Sequence, residues 1–214
     1  MSVLYSQYGT IVRGGGGGYT PKFGTIDLWG KIYDTVTING LVWLCQNLDY
    51  QWEGLPIQRT SGNNSPEACY TEQNESIWGW NGRKGGLQYN TKAKEYLQET
   101  ILQDSPWRVP SISDVCKLID SVGIENSSLD LGGTSDWGTY QGNNTIGFNE
   151  LPFGGWANPG EPPGNYWYMG VYEQGQTNKF AFNSTGYNNL PNSVVIGDYT
   201  PYSWHVTLRL CKDA

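Results

Sequence analysis

From residue 31 to residue 45 apolar side chains recur at alternate positions. Ile32, Val36, Ile38, Val42 and Leu44 all fall on even numbers, and Asn39-Gly40 interrupts the run. A period of two belongs to a strand, and Asn-Gly suits a two-residue hairpin turn whose two positions both need positive φ. Two strands joined at Asn39-Gly40 are therefore predicted. After Asn90 the period changes: Ala93, Tyr96, Leu97, Thr100 and Ile101 share one helical face, with Lys92, Lys94, Glu95 and Glu99 opposite. A second helix is better punctuated. Ser111 follows Pro110, Asp114 stands three later as its capping-box partner, Val115, Leu118, Ile119 and Val122 form the apolar stripe, and Gly123 supplies the positive φ that ends it.

Residues 126–214 show no helical periodicity. Short apolar or aromatic runs (166–172, 179–182, 193–196 and 205–210) alternate with Asn, Gly, Pro and Ser clusters, the pattern of short strands and turns. The order predicts an α+β fold, two helices followed by an irregular antiparallel sheet with long loops. Residues 1–30 differ in texture. Five glycines at 14–18 separate Tyr8-Gly9-Thr10-Ile11 from a loose echo of it, Phe23-Gly24-Thr25-Ile26. Such a segment buries few of its own apolar groups, so it reads as an attachment arm packed on another subunit or partner, with a disordered leader as the plainer alternative. The division expected is a glycine-rich arm at 1–30 and a ligand-binding domain at 31–214.

Composition narrows the chemistry. The chain has 214 residues with 13 Lys+Arg against 20 Asp+Glu, a net charge of −7, and no basic cluster, which disfavours nucleic-acid binding. Charged residues are only 15% of the chain while aromatics reach 14%, so solubility rests on neutral polar groups and Tyr hydroxyls. The amino terminus lacks a basic start followed by an apolar run, and no window is apolar enough for a membrane span. A product made and kept in a cytoplasm until the cell lyses is expected. Cys45, Cys69, Cys116 and Cys211 show no C-x-x-C spacing; they read as buried free thiols, although three pairings are possible.

Catalytic readings find little support. Ser203 stands two residues before His205 in a strand-like run, and this lone histidine reads as structural or surface-exposed. Glu150, Glu161 and Glu173 form a carboxylate pair only if the fold brings two of them together. The glycine run precedes neither Gly-Lys-Ser/Thr nor a helix, so it is no phosphate cradle. Asp130, Asp136, Asn143, Asn144 and Glu150 offer oxygen ligands without calcium-loop spacing and read as solvated loop residues. No enzyme activity, cofactor or metal is expected. What remains is a binding surface. Tyr166, Tyr168, Tyr172, Asn178, Asn183, Tyr187, Asn188, Asn189, Asn192, Asp198, Tyr199, Tyr202 and Ser203 lie among short apolar anchors. This is the vocabulary of adaptable binding loops, in which Tyr gives area with few rotors to freeze while Asn and Ser give hydrogen bonds. Trp167 and Trp204 suit core and surface equally.

Six segments, in order, resemble the Fibrobacter succinogenes major paralogous domain and its phage-borne relatives. They are residues 36–50 with Trp43 and Asn47-Leu48-Asp49-Tyr50, residues 86–90, Trp107-Arg108-Val109-Pro110-Ser111 with Asp114, residues 147–155, Tyr166-Trp167, and residues 206–212. The match covers about 31–214. It implies a C-type-lectin-like fold, related to formylglycine-generating-enzyme domains and to the variable proteins of diversity-generating retroelements, whose last strands and loops display a changeable ligand-binding face on a fixed scaffold. The Asn/Tyr/Ser/Asp bias of residues 165–203 fits the adenine-rich codons that such a system mutates. The family's cysteine before the Trp-x-x-Pro segment is absent, Ser105-Pro106-Trp107 standing there, and Cys116 on the helix implies a contact with Cys211 instead. Lectin calcium motifs are missing, since Glu161-Pro162 continues as Pro163-Gly164.

Bacterial members of the family usually carry a lipoprotein signal, which this sequence lacks. The resemblance therefore implies a receptor-binding component of a phage tail fibre or virion surface, with a bacterial cell surface as the alternative location. Its expected partners are a bacterial envelope glycan or protein, other virion proteins through residues 1–30, and further copies of itself, a trimer being favoured. A structural decoration protein and a glycan depolymerase are the rival functions.

Overall fold

The computed structural model describes residues 21–57, 66, 68–69, 86–123, 127–133, 142–149, 166–174, 179–184, 195–198 and 205–214. Residues 8–11 and the glycine run at 14–18 lie outside them. Strands β1 (Lys22–Leu28), β2 (Lys31–Ile38) and β3 (Leu41–Leu44) form consecutive antiparallel hairpins, and β10 (Cys211–Asp213) pairs with β3, giving a four-stranded sheet in the order β1-β2-β3-β10. The hairpin predicted at Asn39-Gly40 is present: Ile38 faces Leu41, and the two turn residues have φ of 47° and 79°. Such values are the signature of a type I′ turn, in which Asn and Gly are the least strained residues.

β1 pairs with β2 along its whole length, from Lys22 opposite Thr37 to Leu28 opposite Lys31. The sheet thus starts at Lys22, inside the segment read as an arm. The even-number pattern also divides at the turn. With Ile38 opposite Leu41, Val36 and Ile38 share a face with Leu41 and Trp43, while Tyr33 and Leu44 point the other way. Each face buries its own set. Val36, Ile38, Leu41 and Trp43 pack with Val115, Leu118, Ile119, Phe148 and Met169. Tyr33 and Leu44 pack with Leu48, Trp52, Tyr89, Leu97, Val206 and Leu208.

Helix α1 (Thr91–Tyr96) continues as a π turn over Leu97–Ile101, with the Asn90 side chain accepting from the Ala93 N–H at its start. Ala93 and Leu97 are buried as expected, but the extra residue of the π turn leaves Thr100 exposed, and Tyr96 is 40% exposed. Lys94, assigned to the polar face, is fully buried. Its stem lies over Gly170, where a Cβ would come within 3.1 Å of Lys94 Cδ, and its Nζ donates to the Val171 carbonyl oxygen at 2.8 Å. Helix α2 (Ile112–Val122) has the predicted cap: Asp114 N–H donates to Ser111 Oγ, Ser111 N–H donates to the Asp114 carboxylate, and Gly123 ends the helix at φ 79°. A five-residue helix, α3 (Ser127–Leu131), follows where no helix was expected. One turn and a half is too short to register as a period.

The second sheet has six strands in the order β4 (Ala68–Cys69), β5 (Gln88–Tyr89), β9 (Val206–Thr207), β6 (Tyr166–Gly170), β7 (Lys179–Ser184) and β8 (Val195–Asp198). Every pair is antiparallel except β6 with β9, which run parallel at Met169 and Thr207. The fold is α+β, with helices beside antiparallel sheets. No disulfide joins Cys116 and Cys211. Cys45, Cys116 and Cys211 are free thiols, and Cys211 Sγ lies 3.7 Å from an Asp114 carboxylate oxygen. No helix among the described residues is long and apolar enough to cross a membrane.

Candidate functional site

The segment rich in Tyr and Asn maps onto the outer half of the six-stranded sheet. β9 and the end of β6 are rooted in the core: Val206 and Leu208 belong to one cluster, Met169 and Val171 to the other. Gly170 lets these elements close up, because a Cβ there would meet Leu208 and Val206 side chains at 2.7 and 3.0 Å. β7 and β8 extend the sheet away from that root, with Tyr166 opposite Ser184, Gly170 opposite Phe180, and Lys179 opposite Asp198.

This register sorts the expected site residues into two groups at opposite ends of the strands. At one end are Tyr166, at the start of β6, and Asn183, near the end of β7. Strand β8 begins at this end too, and so does β9, which runs parallel to β6. At the other end are Tyr172, just beyond β6, and Asp198, the last residue of β8; Asn178 immediately precedes β7, and Tyr199 immediately follows β8. Tyr168 sits mid-strand, opposite Phe182. Asn178, Tyr187, Asn188, Asn189, Asn192, Tyr199, Tyr202 and Ser203 themselves lie outside the described residues.

Tyr172 has a framework role in addition. Its amide N–H donates to the Pro110 carbonyl at 2.9 Å and its hydroxyl donates to Glu99 at 2.7 Å. The Glu99 hydrogen bond, with burial, pushes its phenol up to about 12, so it stays neutral. Glu173 beside it accepts from the Ile112 N–H at 2.7 Å, and this carboxylate is thereby spent on the start of α2. Asp130 and Asn143 do approach one another, at 3.4 Å, while the Asn144 side-chain oxygen accepts from the Asn149 N–H. Among the described residues no group of three His, Cys, Asp or Glu side chains could hold a metal ion. His205 is buried.

Sequence reasoning passed over the groups that clamp this framework. Arg209 is fully buried, donating to Asn47 Oδ1 at 3.0 Å, to the Asn149 carbonyl at 2.7 Å and to the Phe148 carbonyl, with its guanidinium 4.5 Å from the Phe148 ring. It ties the end of β9 to two loops remote in sequence. Arg108 forks onto both Asp114 oxygens at 2.9 Å and reaches Asp213 at 3.0 Å, locking β10 to the cap of α2. Burial pushes the Asp114 carboxyl up, but the Arg108 and Ser111 hydrogen bonds outweigh it and hold the group down at about 2. A long-range partner is what pattern cannot supply; an isolated Arg in an apolar run was the available signal.

A second surface feature lies on the four-stranded sheet. Lys22, Gly24, Thr35, Thr37 and Lys212 line an open concavity of about 240 Å³ walled by Trp107, whose ring centroid is 5.6 Å from Lys212 Nζ. No family model matches this chain, and neither a curated protein nor a solved structure proved similar to it.

Proposed function

We propose that the chain is a receptor-binding module with a C-type-lectin-like framework. It serves on a phage tail fibre or virion surface, gripping a bacterial envelope glycan or protein through the loops of its carboxy-terminal half, and it is not an enzyme. One observation carries this reading. Tyr166 and Asn183 stand at one end of strands β6 and β7, in a sheet rooted in the core through Met169, Val171, Val206 and Leu208. Rigid strands lower the ordering cost of binding, and a few Tyr anchors contribute most of the affinity, about 2 kcal/mol each. The Tyr/Asn/Ser/Asp bias fits diversification by a retroelement. Residues 1–21 and the exposed β1 edge would serve attachment to other virion proteins or sister copies, a trimer being favoured.

Adsorption of the purified protein to a panel of bacterial strains tests this reading. Tyr187→Ala combined with Tyr199→Ala should abolish adsorption while the melting temperature stays unchanged. Full adsorption by that folded variant sinks the reading. A reverse transcriptase gene with a template repeat beside the coding sequence is the expectation for the diversification part.

A further inference from the structure

The two hairpin turns of the first sheet have the same backbone and different residues. At Asn39-Gly40 the first turn position is Asn at φ 47°; at Trp29-Gly30 it is Trp at φ 56°. Both turns are two residues long, closed by Ile38 opposite Leu41 and by Leu28 opposite Lys31. Asn enters the left-handed region easily, whereas a bulky ring there is strained, and strain of this kind collects at binding sites. The Trp29 ring lies on Tyr50, with centroids 4.0 Å apart and planes 18° from parallel, yet Trp29 remains 39% exposed.

The support beneath that ring is rigid. The Tyr89 hydroxyl is 2.9 Å from both the N and O of Tyr50, fixing its backbone. Trp52 continues the aromatic row from Tyr50 and stacks on Tyr96, which is 40% exposed. The same hairpin end carries polar groups: Asp27 accepts from the Gly30 N–H at 2.8 Å, and Lys31, next to Gly30, pairs with Asp49 at 2.7 Å.

We infer that Trp29 and Tyr50 form a sugar-stacking platform for a neutral hexopyranose unit, a site separate from the carboxy-terminal loops. One face of a pyranose presents C–H bonds whose positive edge complements the negative π face of an indole. Its rim of hydroxyls both donates and accepts, which matches a carboxylate next to an ammonium. Burying an aliphatic protein partner here would strip water from the Asp27 carboxylate, whereas a sugar hydroxyl replaces that water.

The test follows the indole N–H resonance of Trp29 in nitrogen-15-labelled protein, identified as the one lost in Trp29→Asn. Neutral oligosaccharides of glucose, galactose and N-acetylglucosamine are added to concentrations well above about 1 mM, so that weak binding is read to saturation. The Trp29 resonance should shift in a saturable way while that of buried Trp43 stays in place. Trp29→Asn, which copies the second turn, should weaken binding at least tenfold with the fold intact, and Trp29→Phe, which keeps a ring, should bind between the two. If no saccharide moves the Trp29 resonance, or if Trp29→Asn binds as well as the parent, the inference is overturned. Should Trp29→Asn fail to fold, the resonance of the unaltered protein and the Trp29→Phe affinity still decide.

Discussion

Lys94 Nζ donates to the carbonyl oxygen of Val171 across 2.8 Å inside the core, joining α1 to the end of β6. Burial pushes this ammonium down to about 7 from its usual 10.5, a shift that nearby Glu95 only partly opposes. Between those two values the unfolded chain holds a proton that the folded chain has released, so this group makes stability rise with pH across that window. Below about 7 the folded state must carry a buried charge. The slope is worth up to about 1.4 kcal/mol per pH unit. Lys94→Met removes it. The unfolding free energy of the variant relative to the parent should be most favourable near pH 6 and should fall steadily toward pH 10, measured by urea titration at each pH.

Asp114 also makes stability rise with pH, but at the acid end and as a charge that the folded state favours. Its carboxyl sits at about 2 against an ordinary 3.8, so the stability it provides is complete above 3.8 and disappears as pH falls through about 2. Asp114→Asn forfeits the charge and half of the capping box. A loss of about 2–4 kcal/mol at pH 7 is expected, with a flatter stability profile below pH 4, by thermal denaturation.

Arg209 makes a different kind of contact: it donates to one side-chain amide oxygen and two backbone carbonyls. Removing it strands those acceptors in the core. Arg209→Ala should cost about 3–5 kcal/mol, and Arg209→Lys should recover only part, because an ammonium cannot reproduce the planar fork. Chemical denaturation of the two variants checks the order.

Cysteine reactivity reports the free-thiol arrangement. Cys45 and Cys211 are buried, and burial pushes both thiols up, Cys45 to about 11, while Cys116 is half-buried on α2. Of these three, only Cys116 should react with an aromatic disulfide reagent in the native state; the other two should follow on unfolding. Peptide mapping of the labelled protein distinguishes this from a Cys116–Cys211 bridge, which would leave both unlabelled even when unfolded.

How far the sequence could be read depended on how local each signal was. The Asn39-Gly40 turn and the Ser111/Asp114 cap need only a few adjacent residues, and both stand where the pattern put them. The strands at β6, β7, β8 and β9 were legible as short apolar runs between turn residues. The segment at 22–28 was legible as a short strand but read as part of an arm, because its pairing with β2 is a contact that its own pattern does not carry. Lys94 was misplaced because burial of a lysine depends on a glycine 76 residues away. For the candidate site, composition picked out the residues but not the placing of Tyr166 and Asn183 at one end of the strands and Tyr172 and Asp198 at the other, which follows from the antiparallel pairing of β6, β7 and β8.

Hydrogen–deuterium exchange of the intact protein, with and without envelope fragments from a strain that it adsorbs to, addresses the receptor-binding proposal most directly. Slowed exchange across residues 185–194 and 199–204, with α2 unchanged, is the expected footprint. Protection confined to β1, or none anywhere at saturating fragment, would contradict it.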